Sequence, residues 1–79
     1  MRVIILAAGK GERLRPLTED RPKCLIEAYP GVTIIDLQLR SIATVPEIES
    51  VVVVTGYRAA QVEDHLAKGA PVPVKTVYN

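Results

Sequence analysis

Residues 6–25 read LAAGKGERLRPLTEDRPKCL and follow directly on an apolar run, Val3, Ile4, Ile5 and Leu6. A continuous apolar run of that length suits a strand covered on both faces, as the strands of parallel sheets are. The chain therefore leaves a sheet at Ala7. Ala7, Ala8, Gly9 and Gly11 carry little or no side chain, so the backbone there can turn sharply and bring its N–H groups against a ligand. Lys10, Arg13, Arg15, Arg21 and Lys23 place positive charge around that opening. Small backbone donors ringed by cations suit a polyphosphate.

The common phosphate loops do not fit this spacing. The Walker pattern requires four residues between its first glycine and a Gly-Lys-Ser/Thr, and the chain has no such set. The dinucleotide fingerprint requires a third glycine where Leu14 stands and a helix opening at the second, and Pro16 and Pro22 leave no room for a long helix after Gly11. The kinase glycine-rich loop fails at Leu14 as well and needs hairpin strands on both sides.

What remains is similar to the signature of the sugar-phosphate nucleotidyltransferases, or nucleotide-sugar pyrophosphorylases: Leu-Ala-x-Gly-x-Gly-x-Arg-Leu-x-Pro-Leu-Thr, closing with Pro-Lys. The matching residues are Leu6, Ala7, Gly9, Gly11, Arg13, Leu14, Pro16, Leu17, Thr18, Pro22 and Lys23. The likeness continues more weakly through residues 34–43 and the strand and turn of residues 51–57. Glu12 departs from it, standing where Ser or Thr is usual: a hydroxyl there could bind phosphate, whereas a carboxylate must point away or be neutralised by Lys10 or Arg13. Ala8, the turn at residues 53–57 and the final Val77-Tyr78-Asn79 look most like the cytidylyltransferases of phosphocholine and related small phosphates, while uridylyl and other sugar-phosphate members share much of this pattern.

The resemblance implies a Rossmann-like, three-layer α/β fold and transfer of a nucleotidyl group from a nucleoside triphosphate, CTP foremost, to a phosphomonoester such as a sugar phosphate or phosphocholine. It implies a nucleotide-binding set of Leu6, Ala7, Ala8, Gly9, Lys10, Gly11, Glu12, Arg13 and Lys23, of which Arg13 and Lys23 are catalytic. Arg13 would hold the β and γ phosphates with its planar fork, and Lys23, a compact ammonium, would bridge the α-phosphate and the incoming phosphate. Magnesium is the implied cofactor, with its ligands expected outside this chain. A non-catalytic regulatory or assembly subunit that kept the fold is the alternative, although such relatives commonly lose the arginine or lysine present here.

Length bears on how much of such a domain is in hand. The 79 residues lie at the small end for a single domain and bury only about 60% of their unfolded surface. The chain reads as the N-terminal, nucleotide-binding portion, residues 1–79, of a longer domain. It is expected to self-associate or to need the missing remainder. The net charge of +1 argues against nucleic acid or an anionic membrane as partner. Its distribution is more informative: residues 1–23 carry six Lys/Arg against three acids, residues 24–79 four against six. No apolar run reaches the roughly 18 residues of a membrane span, Met1-Arg2 leads into a strand without a cleavable signal, and one cysteine permits no internal disulfide. A cytoplasmic location follows as the expectation.

The remaining pattern alternates strands and helices. Leu25 and Ile26 suit a short extended piece, and Tyr29-Pro30-Gly31 a turn. Thr33 is positioned as an N-cap with Asp36 completing a capping box, and Ile35, Leu39 and Ile42 recur at helical spacing until Pro46. Residues 51–54 form a β-branched strand, and Gly56 supplies the turn out of it. Residues 59–68 form a second helix anchored by Val62 and Leu66 and closed by Gly69. Residues 72–78 form a third strand, placed at an edge by Pro73. Right-handed parallel crossovers give the strand order 3-2-1 and leave residues 3–6 at an open edge. Cys24 reads as a small packing residue, His65 as a surface histidine, Arg15 and Arg21 as solvated or structural, and Lys10 as open between phosphate and solvent.

Overall fold

A computed structural model describes residues 2–9 and 20–79. The strand at the N-terminus, β1, spans Arg2–Leu6, and a 3-10 turn covers Lys23–Leu25. A small hairpin follows, β2 at Glu27–Tyr29 and β3 at Val32–Thr33, then helix α1 at Ile34–Ala43. Strand β4 is Ser50–Thr55, helix α2 is Ala59–Ala67 and strand β5 is Val74–Tyr78.

Strands β1, β4 and β5 form one sheet in the order β1-β4-β5, both pairs parallel, which is the 3-2-1 arrangement. Register pairs Val3 with Val51 and Ile5 with Val53 on one side, and Val51 with Val74 and Val53 with Thr76 on the other. Residues paired across a parallel ladder point to the same face, so Val3, Ile5, Val51, Val53, Thr55, Val74 and Thr76 share one. The core lies there: Val51, Val53 and Thr55 are wholly buried and meet Ile35 and Leu39 of α1 and Val62 of α2. Two crossovers of the same hand stepping in the same direction lay both helices on the same face. Among the described residues no element covers the opposite face, with Ile4 at 62% and Leu6 at 81% exposure, so they contribute two of the fold's three layers.

Local chemistry sets each boundary. The Thr33 hydroxyl accepts from the Asp36 amide at 3.2 Å and the Asp36 carboxylate accepts from the Thr33 amide at 2.9 Å, the full capping box that starts α1. Gly69, with φ at +131°, follows the last turn of α2, a conformation that costs an L side chain more than glycine. Pro73 has no N–H to give a ladder, so β5 begins after it at Val74 rather than at residue 72, while the Pro73 carbonyl still accepts from Val51.

Leu25 is not extended. Its amide donates to the Pro22 carbonyl at 3.0 Å and the Ile26 amide to Lys23 at 3.1 Å, so Pro22-Lys23-Cys24-Leu25 closes a turn that drives Cys24 into the core. The extended piece starts after it, and the expected turn at residues 29–31 proves to be the tip of the β2–β3 hairpin, with Gly31 at φ +83°.

Candidate functional site

A cavity of about 310 Å³ opens where β1 ends, lined by Ile5, Leu6, Ala7, Gly9, Lys23, Cys24, Ile34 and Gln38. Three pieces of chain converge on it. The first is the exit from β1: the Ala7 amide donates to the Val54 carbonyl at 2.8 Å and extends the ladder one step past the strand, after which the Ala8 carbonyl accepts from the Tyr57 amide at 3.2 Å. Leu6, Ala7 and Gly9 therefore reach the cavity from a backbone held by the sheet. A side chain at Gly9 would meet no atom of the described residues within 4 Å, so none of them closes off its backbone.

The second piece is the 3-10 turn. Pro22 is buried and fixes the approach, and Lys23 is exposed on the rim as the cation of this cavity among the described residues. Cys24 beside it points inward; burial pushes its thiol up to about 11 against the opposing pull of a backbone hydrogen bond, so it is a neutral packing residue at pH 7. The third piece is the first turn of α1, which contributes Ile34 and, four residues on, Gln38. The helical spacing of Ile34 and Gln38 was visible in the sequence, but nothing there said which face of α1 meets the strand end.

Of the residues expected to bind nucleotide, Leu6, Ala7, Gly9 and Lys23 thus line one cavity, and Ala8 turns its carbonyl to the β4–α2 junction. Lys10, Gly11, Glu12 and Arg13 lie outside the described residues, as does Arg15. Arg21 is exposed and pairs with its neighbour Asp20 at 3.3 Å. A larger opening, about 560 Å³, lies along α2 and the 20–33 segment. Its lining mixes Asp20, Glu27 and Asp64 with Arg21 and Lys68, so it lacks the concentrated positive charge that a polyphosphate requires.

His65 is not a free surface histidine. Its Nε2 lies 2.8 Å from Asp36 Oδ1, with both side chains three-quarters buried, and so ties α2 to the N-terminal turn of α1. Burial works to raise the Asp36 carboxyl, but the His65 hydrogen bond, the bonds to the Thr33 backbone and side chain, and the His65 charge outweigh it and hold the group below its ordinary value. The two partners stand 29 residues apart, which is why local sequence could not pair them.

Among the described residues no group of three or more His, Cys, Asp or Glu side chains is placed to hold a metal ion, and the cavity lining has no carboxylate. Magnesium prefers hard oxygen anions, so these residues do not make a site for it. No described helix is long and apolar enough to cross a membrane.

The family model for nucleotidyl transferases matches residues 2–79. The chain belongs to that nucleotidyl transferase family. Similar relatives include a CTP:phosphoglutamine cytidylyltransferase of Campylobacter jejuni, 43% identical over 86% of this chain and 26% of its own length. A UTP–glucose-1-phosphate uridylyltransferase of Haloferax volcanii is 43% identical over 82% of this chain and 26% of its own. Among solved structures, a CTP:phosphocholine cytidylyltransferase from Streptococcus pneumoniae superposes with a TM-score of 0.76 at 33% identity, covering 96% of this chain and 32% of that one. This nucleotidyl transferase chain spans about a quarter of the length of these curated relatives.

Proposed function

We propose that this chain supplies the nucleotide-phosphate end of a nucleotidyl transfer site. In the reaction a phosphate oxygen of a phosphomonoester attacks the α-phosphorus of a nucleoside triphosphate. The new P–O–P bond forms as the bond from the α-phosphorus to the bridging oxygen breaks, and pyrophosphate leaves with the bonding electrons. Two anions must be brought into line and their repulsion neutralised, with little covalent chemistry asked of the protein.

The observation that carries this reading is the convergence of Leu6, Ala7, Gly9 and Lys23 on one cavity at the carboxyl end of a parallel strand. That is where ligands bind in open α/β sheets. Backbone groups of Leu6, Ala7, Ala8, Gly9, Lys10 and Gly11 line the nucleotide, Arg13 holds the β and γ phosphates, and Lys23 meets the α-phosphate as the acceptor arrives. Glu12, in the same segment, would have to turn its carboxylate from the phosphates or be neutralised by Lys10 or Arg13. CTP is the proposed donor and phosphocholine or a sugar phosphate the proposed acceptor, in keeping with the relatives named for cytidylyl transfer. Magnesium, if it serves here, draws its ligands from outside these residues, and no step above runs through it. The cytoplasm is the proposed location.

The test is pyrophosphate release from each of the four NTPs with magnesium and a panel of phosphocholine and sugar phosphates. It is run on the 79-residue chain and on the longer protein obtained by restoring the rest of the domain. Turnover is expected from the longer protein with CTP and a small phosphomonoester, and none from the 79 residues alone, whose described residues bring together no group of side chains to hold a metal. Turnover by the short chain, or none by the longer protein with any pair, overturns the reading.

A further inference from the structure

Two contacts reach from the β4–α2 junction to the two sides of the signature segment. On the entry side, Gly56 faces Ala8 so closely that a Cβ there would stand 2.8 Å from the Ala8 Cβ, 3.1 Å from its carbonyl oxygen and 3.2 Å from its Cα. The next residue, Tyr57, donates its amide to that same carbonyl at 3.2 Å. Gly56 is thus required by space: among the described residues the glycines at which φ is positive are Gly31 and Gly69. On the exit side, the Gln61 side chain in the first turn of α2 donates through Nε2 to the Asp20 carbonyl at 2.9 Å, across 41 residues of sequence. Arg58 lies between the two contacts in the left-handed region, at φ 55°, a conformation that a non-glycine residue holds only where its surroundings determine it.

We propose that Gly56 and Gln61 are positioning residues for nucleotidyl transfer: one short turn holds Ala8 and Asp20 in fixed relation, and with them the cavity wall at Ala7 and the rim at Lys23. The inference rests on the functional reading above, and it adds residues that lie outside the lining of the Lys23 cavity. A loop end misplaced by an ångström costs alignment of the reacting phosphates far more than it costs the fold. An exposed hydrogen bond such as Gln61 to Asp20 adds little to global stability. The predicted signature of its loss is therefore kinetic.

The informative change is Gln61→Glu, which keeps the shape and removes the donor. In the longer protein, KM for the triphosphate rises about tenfold or more, while the melting temperature stays within about 2 °C. Amide exchange in the peptide spanning residues 20–26 quickens, and exchange in α1 does not change. Gly56→Ala raises KM as well, and Ala8→Gly in the same chain recovers part of the loss, because the methyl that the new Cβ would meet is gone. Gly31→Ala is the contrast: it costs stability through its positive φ and leaves KM unaltered.

Unchanged exchange in residues 20–26 would overturn the anchoring, and quickened exchange with unchanged KM would overturn the positioning role. Failure of Ala8→Gly to recover any of the Gly56→Ala loss would remove Gly56 from it. If the longer protein turned over no triphosphate, the functional reading would fail and the positioning role with it, while exchange would still decide the anchoring.

Discussion

At the scale of single residues, the site turns on which groups carry charge and which are only packed. Cys24 stands next to Lys23 in sequence, yet burial raises its thiol to about 11 and turns it inward. Cys24→Ala is expected to keep turnover within about twofold of the parent and to lose about 1 kcal/mol of stability from the buried sulfur. Thiol-directed inactivation of the folded protein at pH 7 would contradict this. Asp36 gives a second test, through pH. Its carboxyl is held below its ordinary value, so the native state binds that proton less readily than the unfolded chain does. Its stabilisation is therefore complete above the ordinary carboxylate range and is lost as pH falls through the depressed native value. Denaturant melts between about pH 5 and pH 2 should show Asp36→Asn flattening the acid side of the stability profile. An unchanged acid limb would mean that the Asp36 carboxyl carries no linkage.

At the scale of elements, the boundaries divide into those written locally and those written by tertiary contact. The capping box of α1 was legible because both of its bonds join residues three apart, Thr33 and Asp36. Thr33→Ala should cost about 1 kcal/mol by thermal or denaturant melt. Leu39→Ala, on the buried face of the same helix, should cost about 2 to 5 kcal/mol. A similar cost for the two would mean that α1 is not seated on the sheet. The strand order was also legible, since alternating strands and helices with one crossover hand leave few arrangements. The 3-10 turn at Lys23–Leu25 was not, because a proline followed by Lys-Cys-Leu is equally compatible with an extended piece until the core claims the cysteine. The pairing of His65 with Asp36 and of Gln61 with Asp20 needed the folded chain, since each joins residues far apart in sequence.

At the scale of the whole molecule, a parallel sheet usually carries cover on both faces, and here both helices lie on one. Ile4, Leu6 and Val77 are exposed on the other, and β1 presents an unpaired edge among the described strands. The isolated 79 residues are therefore expected to self-associate through that edge and face, or to unfold at low denaturant. Sedimentation across a range of concentrations checks this, and a compact monomer with one cooperative transition would show that the chain closes its own sheet.

The cavity, too, belongs to the whole, because strand end, 3-10 turn and helix start meet only in the fold. Its cation among the described residues is Lys23, and the most direct measurement compares wild type with Lys23→Ala in the longer protein, reading turnover and triphosphate affinity separately. Turnover is expected to fall by about 10² to 10³-fold while triphosphate affinity changes far less, because the ammonium is needed most when the two phosphates meet. Wild-type turnover in the Lys23→Ala protein would contradict it.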